Sequence, residues 1–182
     1  MLSACPPEPF HLFLVRHGEC LSNVLRNRGA IPDEADLLTA RGHQQARCAG
    51  EALRGLWNPD TILVSSTLTR ARQTTEQILR HLPGAGPAIY DERLVEKPED
   101  ETFDRAAARA LASISEHGRG GRLLCVTHGH IIGSLVALAL GVPLPARFYP
   151  LHGAITYIRG GELTGLNMAL HLADVSSEDL WG

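Results

Sequence analysis

The amino-acid sequence predicts an α/β fold, a three-layer sandwich in which helices cover both faces of a mostly parallel central sheet. Short apolar runs alternate along the chain with segments whose apolar residues recur at helical spacing, and this alternation is typical of strand–helix units in a parallel sheet. The apolar runs contain few polar residues, as expected of strands that are buried on both faces. Two last strand candidates flank Gly160-Gly161, a turn signal that predicts a hairpin and an antiparallel edge.

The first predicted strand covers Phe10–Val15, and it runs directly into Arg16-His17-Gly18. In parallel sheets, ligands bind beyond the carboxyl ends of the strands. At such a place arginine supplies a planar fork of donors, histidine supplies a nitrogen that can be a nucleophile near neutral pH, and glycine lets the backbone approach a ligand closely. The pattern indicates a site for an anion, most simply a phosphate, and the alternative is a chance Arg-His pair. The long polar segment 19–36 is expected to form a wall of this site.

The next part of the chain predicts a helix, a strand and a second helix. Thr39 is a favourable N-cap for a helix over Ala40–Leu56, which Asn58-Pro59 ends. Thr61–Val64 is predicted to be a buried strand. Ser65-Ser66 is predicted to cap the helix that follows, so the strand-then-helix order repeats.

A short strand at Ala88–Tyr90 is predicted to lead into an acidic loop, Asp91–Glu101. Thr102 is predicted to cap the next helix, because a stripe of apolar residues follows it at helical spacing. The glycine-rich segment 118–121 ends that helix. Leu123–Val126 is then a third fully apolar strand.

The last third of the chain predicts a central helix and the closing hairpin. Thr127-His128-Gly129 follows the third apolar strand and precedes a helix to about Leu140, which Gly141 ends. This helix is apolar on all sides, so we expect it to be central. The hairpin strands are predicted at Ala154–Ile158 and Leu166–Leu172.

Length, composition and charge indicate one soluble domain. The chain has 182 residues, of which 44% are hydrophobic, and we expect residues 10–182 to form a single domain and residues 1–9 to be a flexible leader. The formal net charge of -3 gives no general attraction to nucleic acid or to an anionic membrane. The longest apolar stretch, 131–142, is too short to span a bilayer. Four scattered cysteines without metal spacing suit a reducing cytoplasm. Oligomeric state is not predicted.

Three of the predicted strands end in residues that suit a phosphate. Arg16 and His17 follow the first strand, Ser65–Arg70 follows the second, and His128 follows the third apolar strand. A parallel sheet places all of these at one edge. Two arginines and two histidines there would form a pocket for a tetrahedral dianion, and the helices that begin after Ser66 and His128 would point their amino ends at it.

The chain resembles the histidine phosphatase superfamily, whose fold is also called phosphoglycerate mutase-like. The matching motifs span most of the chain and occur in the family's order. They are Arg16-His17-Gly18-Glu19 with Asn23, Leu38–Gly42 with Gln45-Ala46, Ser65–Thr74, Val126–Gly129 and Asn167–Leu172.

The resemblance implies that His17 attacks phosphorus and becomes a phosphohistidine. It also implies that Arg16, Arg70 and His128 hold the phosphoryl oxygens, with help from Asn23. This phosphate site would include Gly129, the residue after His128. The alternatives are that Arg70 is a surface residue of its helix and that His128 is a core histidine bonded to backbone.

The family takes the proton for the leaving group from a glutamate in a Leu-x-Glu setting, which implies Glu96 here. The family usually continues with a segment containing glycine and aromatic residues, whereas charged residues lead almost directly into the next helix in this chain. Glu92, Glu99 and Glu101 are therefore alternative acids, and a solvated acidic loop is a further interpretation.

The predicted function is a phosphomonoesterase with no cofactor and a small phosphorylated substrate. It is expected to be independent of metal ions, because the chain has no metal-ligand spacing and the arginines at the same edge would repel a cation. Alternatives are a phosphohistidine protein phosphatase, a phosphoglycerate mutase, or a weakly active module that binds a phosphorylated ligand. Arg26 and Arg28 would suit a second anionic group of the substrate, although exposed loop arginines are equally expected. His130 and His152 lie near motif positions and are predicted to be ordinary surface or edge histidines.

Overall fold

A computed structural model describes residues 10–25, 36–143 and 148–175. Within them, six strands form one sheet: β1 (His11–Arg16), β2 (Ile62–Ser65), β3 (Ile89–Tyr90), β4 (Arg122–Thr127), β5 (Ile155–Arg159) and β6 (Glu162–Met168). The described α-helices are α1 (Leu21–Leu25), α2 (Ala40–Arg54), α3 (Thr69–Leu79), α4 (Phe103–His117) and α5 (Gly129–Leu140). The predicted leader, Arg26 and Arg28 lie outside the described residues.

The strand order is β3-β2-β4-β1-β5-β6. β1 and β2 both run parallel to β4, and β3 runs parallel to β2, whereas β5 and β6 are antiparallel to their neighbours. In this register Arg16 lies opposite Thr127, and Ser65 lies opposite Val126. The three central strands therefore end at one edge, and the predicted fold class is confirmed.

Each face of the sheet has its own hydrophobic core because successive strand residues point to opposite faces. On one face Leu12 and Leu14 of β1 pack with apolar residues of α4 and α5. On the other face Phe13 and Val15 pack with apolar residues of α2 and α3. This arrangement gives the three layers that the sequence predicts.

Two predicted helix caps are present and one is wrong. The Thr39 side chain accepts a hydrogen bond from the Gly42 amide at the start of α2, and the Thr102 side chain accepts one from the Arg105 amide at the start of α4. Ser66 does not cap α3, whose N-cap is Leu68 and has no side-chain hydrogen bond. Ser66 instead contacts His128, as described below.

The second strand of the closing hairpin begins earlier than predicted. Gly160 and Gly161 both have positive φ, 59° and 88°, and form the turn. β6 follows at once, from Glu162 to Met168, so the prediction of a strand over Leu166–Leu172 is wrong in its bounds. No described helix is long and apolar enough to cross a membrane.

Candidate active site

The carboxyl ends of β1, β2 and β4 bring together residues that are far apart in sequence. His17 follows β1, Ser66 follows β2, and His128 follows β4 as the N-cap residue of α5. All three are almost completely buried, with 2% or less of their surface exposed. The ring centroids of His17 and His128 are 5.1 Å apart. The predicted convergence on one edge of the sheet is therefore present.

His17 is held in one orientation by its own backbone neighbour. Its Nδ1 lies 2.7 Å from the carbonyl oxygen of Gly18. Because a carbonyl only accepts hydrogen bonds, Nδ1 carries the hydrogen and Nε2 of the neutral ring keeps its lone pair. The Nε of Arg70 donates to this Nε2 at 3.3 Å. His17 therefore presents Nε2 as the atom that can attack an electrophile.

His17 lies in surroundings that oppose its protonation. Burial, followed by the positive charges of His128, Arg16, His152 and Arg70, holds the pKa of His17 well below its ordinary value of 6.5. A neutral imidazole is the nucleophilic form of histidine. The permanent charges of Arg16 and Arg70 would also attract an anion.

Arg70 points inward from α3 rather than lying on the surface. Besides donating to His17, its Nη1 forms an ion pair with the carboxylate of Asp36, which also accepts from the Arg70 backbone amide at 3.4 Å. The Thr74 hydroxyl donates to the Arg70 carbonyl at 2.7 Å and accepts from the Gly18 amide at 3.0 Å. These contacts fix the guanidinium beside Nε2 of His17.

His128 is bonded to a side chain rather than to backbone. Its Nε2 lies 2.8 Å from the hydroxyl of Ser66, and its Nδ1 has no hydrogen-bond partner among the described residues. Burial, with smaller contributions from Arg70, Arg16 and Arg109, lowers the pKa of His128 well below 6.5. A buried polar atom without a partner costs free energy, so a ligand oxygen that accepted from His128 would remove this cost.

Arg16 lies beneath Tyr149 with only 6% of its surface exposed. Its Nη1 donates to the Pro150 carbonyl at 2.6 Å, and its guanidinium carbon lies 4.4 Å from the centroid of the Tyr149 ring. The same ring covers Gly129, where a Cβ atom would approach it to 2.5 Å. Only glycine fits at the start of α5 unless Tyr149 moves.

The motif that follows β1 and the motif at the start of α2 contact each other through Gly18 and Gly42. A Cβ on Gly18 would lie 2.3 Å from the Gly42 carbonyl oxygen, so the two backbones touch directly. The Glu19 carboxylate accepts from the Thr39 hydroxyl at 2.7 Å and from Arg41 at 3.2 Å. The resembling segments 16–19 and 38–42 therefore form one packed support under His17.

Asn23 lies in the short helix α1. Its side-chain oxygen accepts hydrogen bonds from the Cys20 amide at 3.1 Å and from the Cys20 thiol at 2.9 Å. These contacts cap the helix. The role of Asn23 in phosphate binding stays a prediction.

Glu96 lies next to His130 at the first turn of α5. Their side chains approach to 3.3 Å between Glu96 Oε1 and His130 Nδ1, and the same oxygen accepts from the Lys97 amide at 2.9 Å. The His130 ring packs edge-on against Tyr149, with centroids 5.2 Å apart, and Tyr149 covers Arg16. Contacts through His130 and Tyr149 therefore connect Glu96 to Arg16.

The alternative acids are less suited to donating a proton. Glu101 forms an ion pair with Arg109 at 2.7 Å, and hydrogen bonds from Arg109 lower the pKa of Glu101 below its ordinary value of 4.5. Glu92 and Glu99 are exposed. Glu96 alone among these carboxylates contacts a residue of α5 in the described structure.

Comparison with known proteins identifies the family. The sequence profile of the histidine phosphatase superfamily (branch 1) matches residues 12–99 and 95–161. The chain belongs to this superfamily. A probable phosphoglycerate mutase of Citrobacter koseri is 35% identical over 167 residues, covering 72% of this chain and 75% of that protein.

Two solved structures have the same fold as this histidine phosphatase. YhfR of Bacillus stearothermophilus has a TM-score of 0.72 and 26% sequence identity, covering 89% of this chain and 98% of that chain. A phosphoserine phosphatase mutant from Entamoeba histolytica, in complex with phosphoserine, has a TM-score of 0.70 and 22% identity, with the same two coverages. The family that the motifs predicted is confirmed.

Three residues of this histidine phosphatase site were missed or assigned to the surface by the sequence analysis. Asp36 holds Arg70 and was only part of a polar segment. His152 was expected at the surface or an edge, but its ring centroid lies 5.5 Å from that of His17. His130 was expected there too, and it contacts Glu96. The position of His130 and His152 near the motifs was the signal available in the sequence, whereas Asp36 is a single acid in a polar segment and had none.

Proposed function

We propose that this protein is a phosphatase that hydrolyses small phosphomonoesters through a phosphohistidine at His17. The observation that carries the proposal is the His17 ring, whose unprotonated Nε2 accepts a hydrogen bond from Arg70 while Nδ1 donates to the Gly18 carbonyl. Phosphoryl transfer requires mainly positioning and charge stabilisation, and a neutral oriented imidazole is a competent nucleophile.

In the first step, Nε2 of His17 forms a bond to phosphorus as the bond from phosphorus to the ester oxygen breaks. Arg16, Arg70 and His128 donate to the phosphoryl oxygens and stabilise their charge. Glu96, protonated at the start, gives its proton to the leaving oxygen, so the product departs as an alcohol.

In the second step, water attacks the phosphohistidine and the bond from phosphorus to Nε2 breaks. Glu96, now a carboxylate, accepts a proton from the attacking water. Phosphate leaves, His17 is again neutral and Glu96 is again protonated. One water is consumed: one of its protons replaces the proton that Glu96 gave to the alcohol, and its remaining hydroxyl leaves with the phosphate.

No metal ion takes part in this scheme, because Arg16 and Arg70 supply the positive charge that would otherwise come from a cation, and His128 adds a hydrogen-bond donor. The same arginines would repel a cation from the site. Among the described residues, no group of three or more His, Cys, Asp or Glu side chains is placed to hold a metal ion.

A phosphoglycerate mutase is the second candidate, because the Citrobacter koseri relative is named as a probable one. The chain between Glu96 and α4 favours a phosphatase. Only residues 97–102 lie there, and a mutase must enclose its intermediate against water. The complex of the Entamoeba histolytica protein with phosphoserine supports a small phosphate ester as the substrate class.

The test is detection of the phosphorylated residue. The enzyme is mixed rapidly with 4-nitrophenyl phosphate, quenched in alkali, digested and analysed by mass spectrometry under conditions that preserve phosphohistidine. We expect phosphate on His17 and release of phosphate on turnover, and neither in His17→Ala. Phosphate on another residue would disprove the nucleophile assignment. No turnover in the wild-type protein across pH 5 to 8 would instead favour a binding module.

A further inference from the structure

Arg109 of α4 forms hydrogen bonds to the loop that carries Glu96, both before and after that residue. Its Nη1 donates to the carbonyl oxygen of Arg93 at 2.7 Å and to that of Val95 at 2.8 Å. Its Nε and Nη2 donate to the two carboxylate oxygens of Glu101 at 2.9 and 2.7 Å. One guanidinium therefore fixes the residue directly before Glu96 and a residue five positions after it.

We infer that Arg109 is a positioning residue for the general acid Glu96. The inference rests on the proposed function, since it assigns a role in the proton donation of that same site. Arg109 would not touch the substrate. It would hold the backbone at Val95, and through it the Glu96 carboxylate, at the distance from the ester oxygen that proton transfer needs.

The loop needs such an anchor because it has little structure of its own. No helix or strand lies between Leu94 and Phe103 in the described chain. A planar guanidinium can bond two carbonyls and a carboxylate at once, which a lysine cannot do with the same geometry. The Arg109 side chain is 19% exposed and that of Glu101 is 14% exposed, so water screens these bonds only partly.

Other contacts hold the start of the loop without holding Glu96. The Asp91 carboxylate accepts from Ser113 at 2.7 Å and lies 3.2 Å from His117, both on α4. The Thr127 hydroxyl donates to the Leu94 carbonyl at 2.7 Å. These bonds would remain if Arg109 were replaced. We therefore expect the fold to survive and the segment around Glu96 to loosen.

The ion pair with Glu101 offsets the charge of Arg109. Loss of Arg109 is therefore expected to disturb proton donation more than phosphate binding. The difference is measurable because an aryl leaving group departs without much protonation, whereas an alkyl leaving group needs the proton. A residue that only supported the fold would affect both substrate classes alike.

The experiment compares Arg109→Met with Arg105→Met, an exposed arginine one turn earlier on the same helix. Turnover is measured with β-glycerophosphate and with 4-nitrophenyl phosphate. We expect Arg109→Met to lower kcat for β-glycerophosphate on the order of 10- to 100-fold, by misplacing the acid, and to change kcat for the aryl ester by less than about threefold. Arg105→Met should change neither, and Arg109→Lys should recover part of the alkyl activity.

Glu96→Gln and the double variant Glu96→Gln/Arg109→Met complete the test. If Arg109 acts through Glu96, the double variant loses no more alkyl activity than Glu96→Gln alone. Equal losses on both substrates, no selective loss in Arg109→Met, or a further loss in the double variant would each overturn the inference. If Arg109→Met does not fold, Glu101→Gln replaces it, with a smaller loss that is still selective for the alkyl ester.

The outcomes also separate this inference from the proposed function. Aryl turnover that persists in His17→Ala would disprove the phosphohistidine mechanism itself. Selective loss in Glu96→Gln without any in Arg109→Met would leave that mechanism intact and overturn only the role of Arg109.

Discussion

Arg70 donates a hydrogen bond from its Nε to Nε2 of His17, the nitrogen that faces the site. This bond can form only while Nε2 is unprotonated, so the contact selects the nucleophilic form of the ring. At the other end of the guanidinium, Nη1 forms an ion pair with the Asp36 carboxylate, which holds the Arg70 side chain in this orientation. A phosphoryl group arriving at Nε2 would meet a donor that is already aimed at its oxygens.

Replacement of Arg70 by lysine tests this arrangement. A lysine ammonium cannot contact both His17 and Asp36 with the geometry of a guanidinium. We expect Arg70→Lys to lower kcat/KM for 4-nitrophenyl phosphate about 100-fold or more, as when one preorganised donor is removed. The matched control is Arg72→Lys, because Arg72 lies on the same helix and donates to the Thr67 carbonyl instead. Equal, small effects of both substitutions would contradict the role of Arg70.

Glu96→Gln is expected to affect substrates according to their leaving group. Glutamine keeps the size of the side chain but cannot supply a proton, so kcat for β-glycerophosphate should fall on the order of 10²- to 10⁴-fold. The aryl ester should lose far less. Glu99→Gln, an exposed neighbour, serves as the control. Equal losses on both substrates in Glu96→Gln would mean that the acid lies elsewhere.

The fold was predictable because its signals are periodic or local. Apolar runs mark β1, β2 and β4, and Gly160-Gly161 marks the hairpin. The edge that gathers His17 and His128 follows from the parallel sheet alone. The helix cap assigned to Ser66 failed because α3 begins at Thr69: the Ser66 hydroxyl accepts from the amide of Leu68, before the helix, and also contacts the His128 ring, a tertiary contact that no local pattern records.

The supporting contacts of the site were not predictable in the same way. Asp36 is one acid in a polar segment, and Arg109 is one arginine on an amphipathic helix, so neither differs in sequence from a solvated residue. Their roles depend on the loop or helix against which they pack. The residue types at strand ends were informative because topology fixes where those ends lie, whereas the course of a loop depends on every contact along it.

Stability is expected to fall as the medium becomes mildly acidic. Folding lowers the pKa of His17 and His128 below the ordinary 6.5, so below that pH the unfolded chain binds protons that the folded chain does not. The free energy of unfolding should therefore decrease as pH falls below 6.5, by up to about 1.4 kcal/mol per pH unit for each such histidine.

Urea unfolding measures this dependence between about pH 7.5 and 5.5, a window above the usual titration of carboxyl groups. Glu101, whose pKa is lowered by Arg109, loses its contribution only as pH falls further. His17→Asn should flatten the dependence, because it removes one buried histidine. A midpoint that is constant over this window in the wild-type protein would contradict the expectation.

Chelators are expected to leave activity unchanged. In the proposed scheme the positive charge at the phosphate comes from Arg16 and Arg70, so removing divalent ions takes nothing from the reaction. Turnover of 4-nitrophenyl phosphate is measured before and after dialysis against EDTA. Loss of activity that zinc or magnesium restores would count against the mechanism.

Water is expected to be the final acceptor of the phosphoryl group. A mutase must keep a phosphorylated intermediate away from water until the intermediate reorients in the site. This requires a segment of the chain that closes over the pocket. The six residues 97–102 between Glu96 and α4 supply little of it, and Arg109 of α4 bonds both Val95, directly before Glu96, and Glu101, near the end of that segment. Incubation with 3-phosphoglycerate and a trace of bisphosphoglycerate should therefore release inorganic phosphate. Formation of 2-phosphoglycerate faster than phosphate would show that the intermediate is protected and that the chain acts as a mutase.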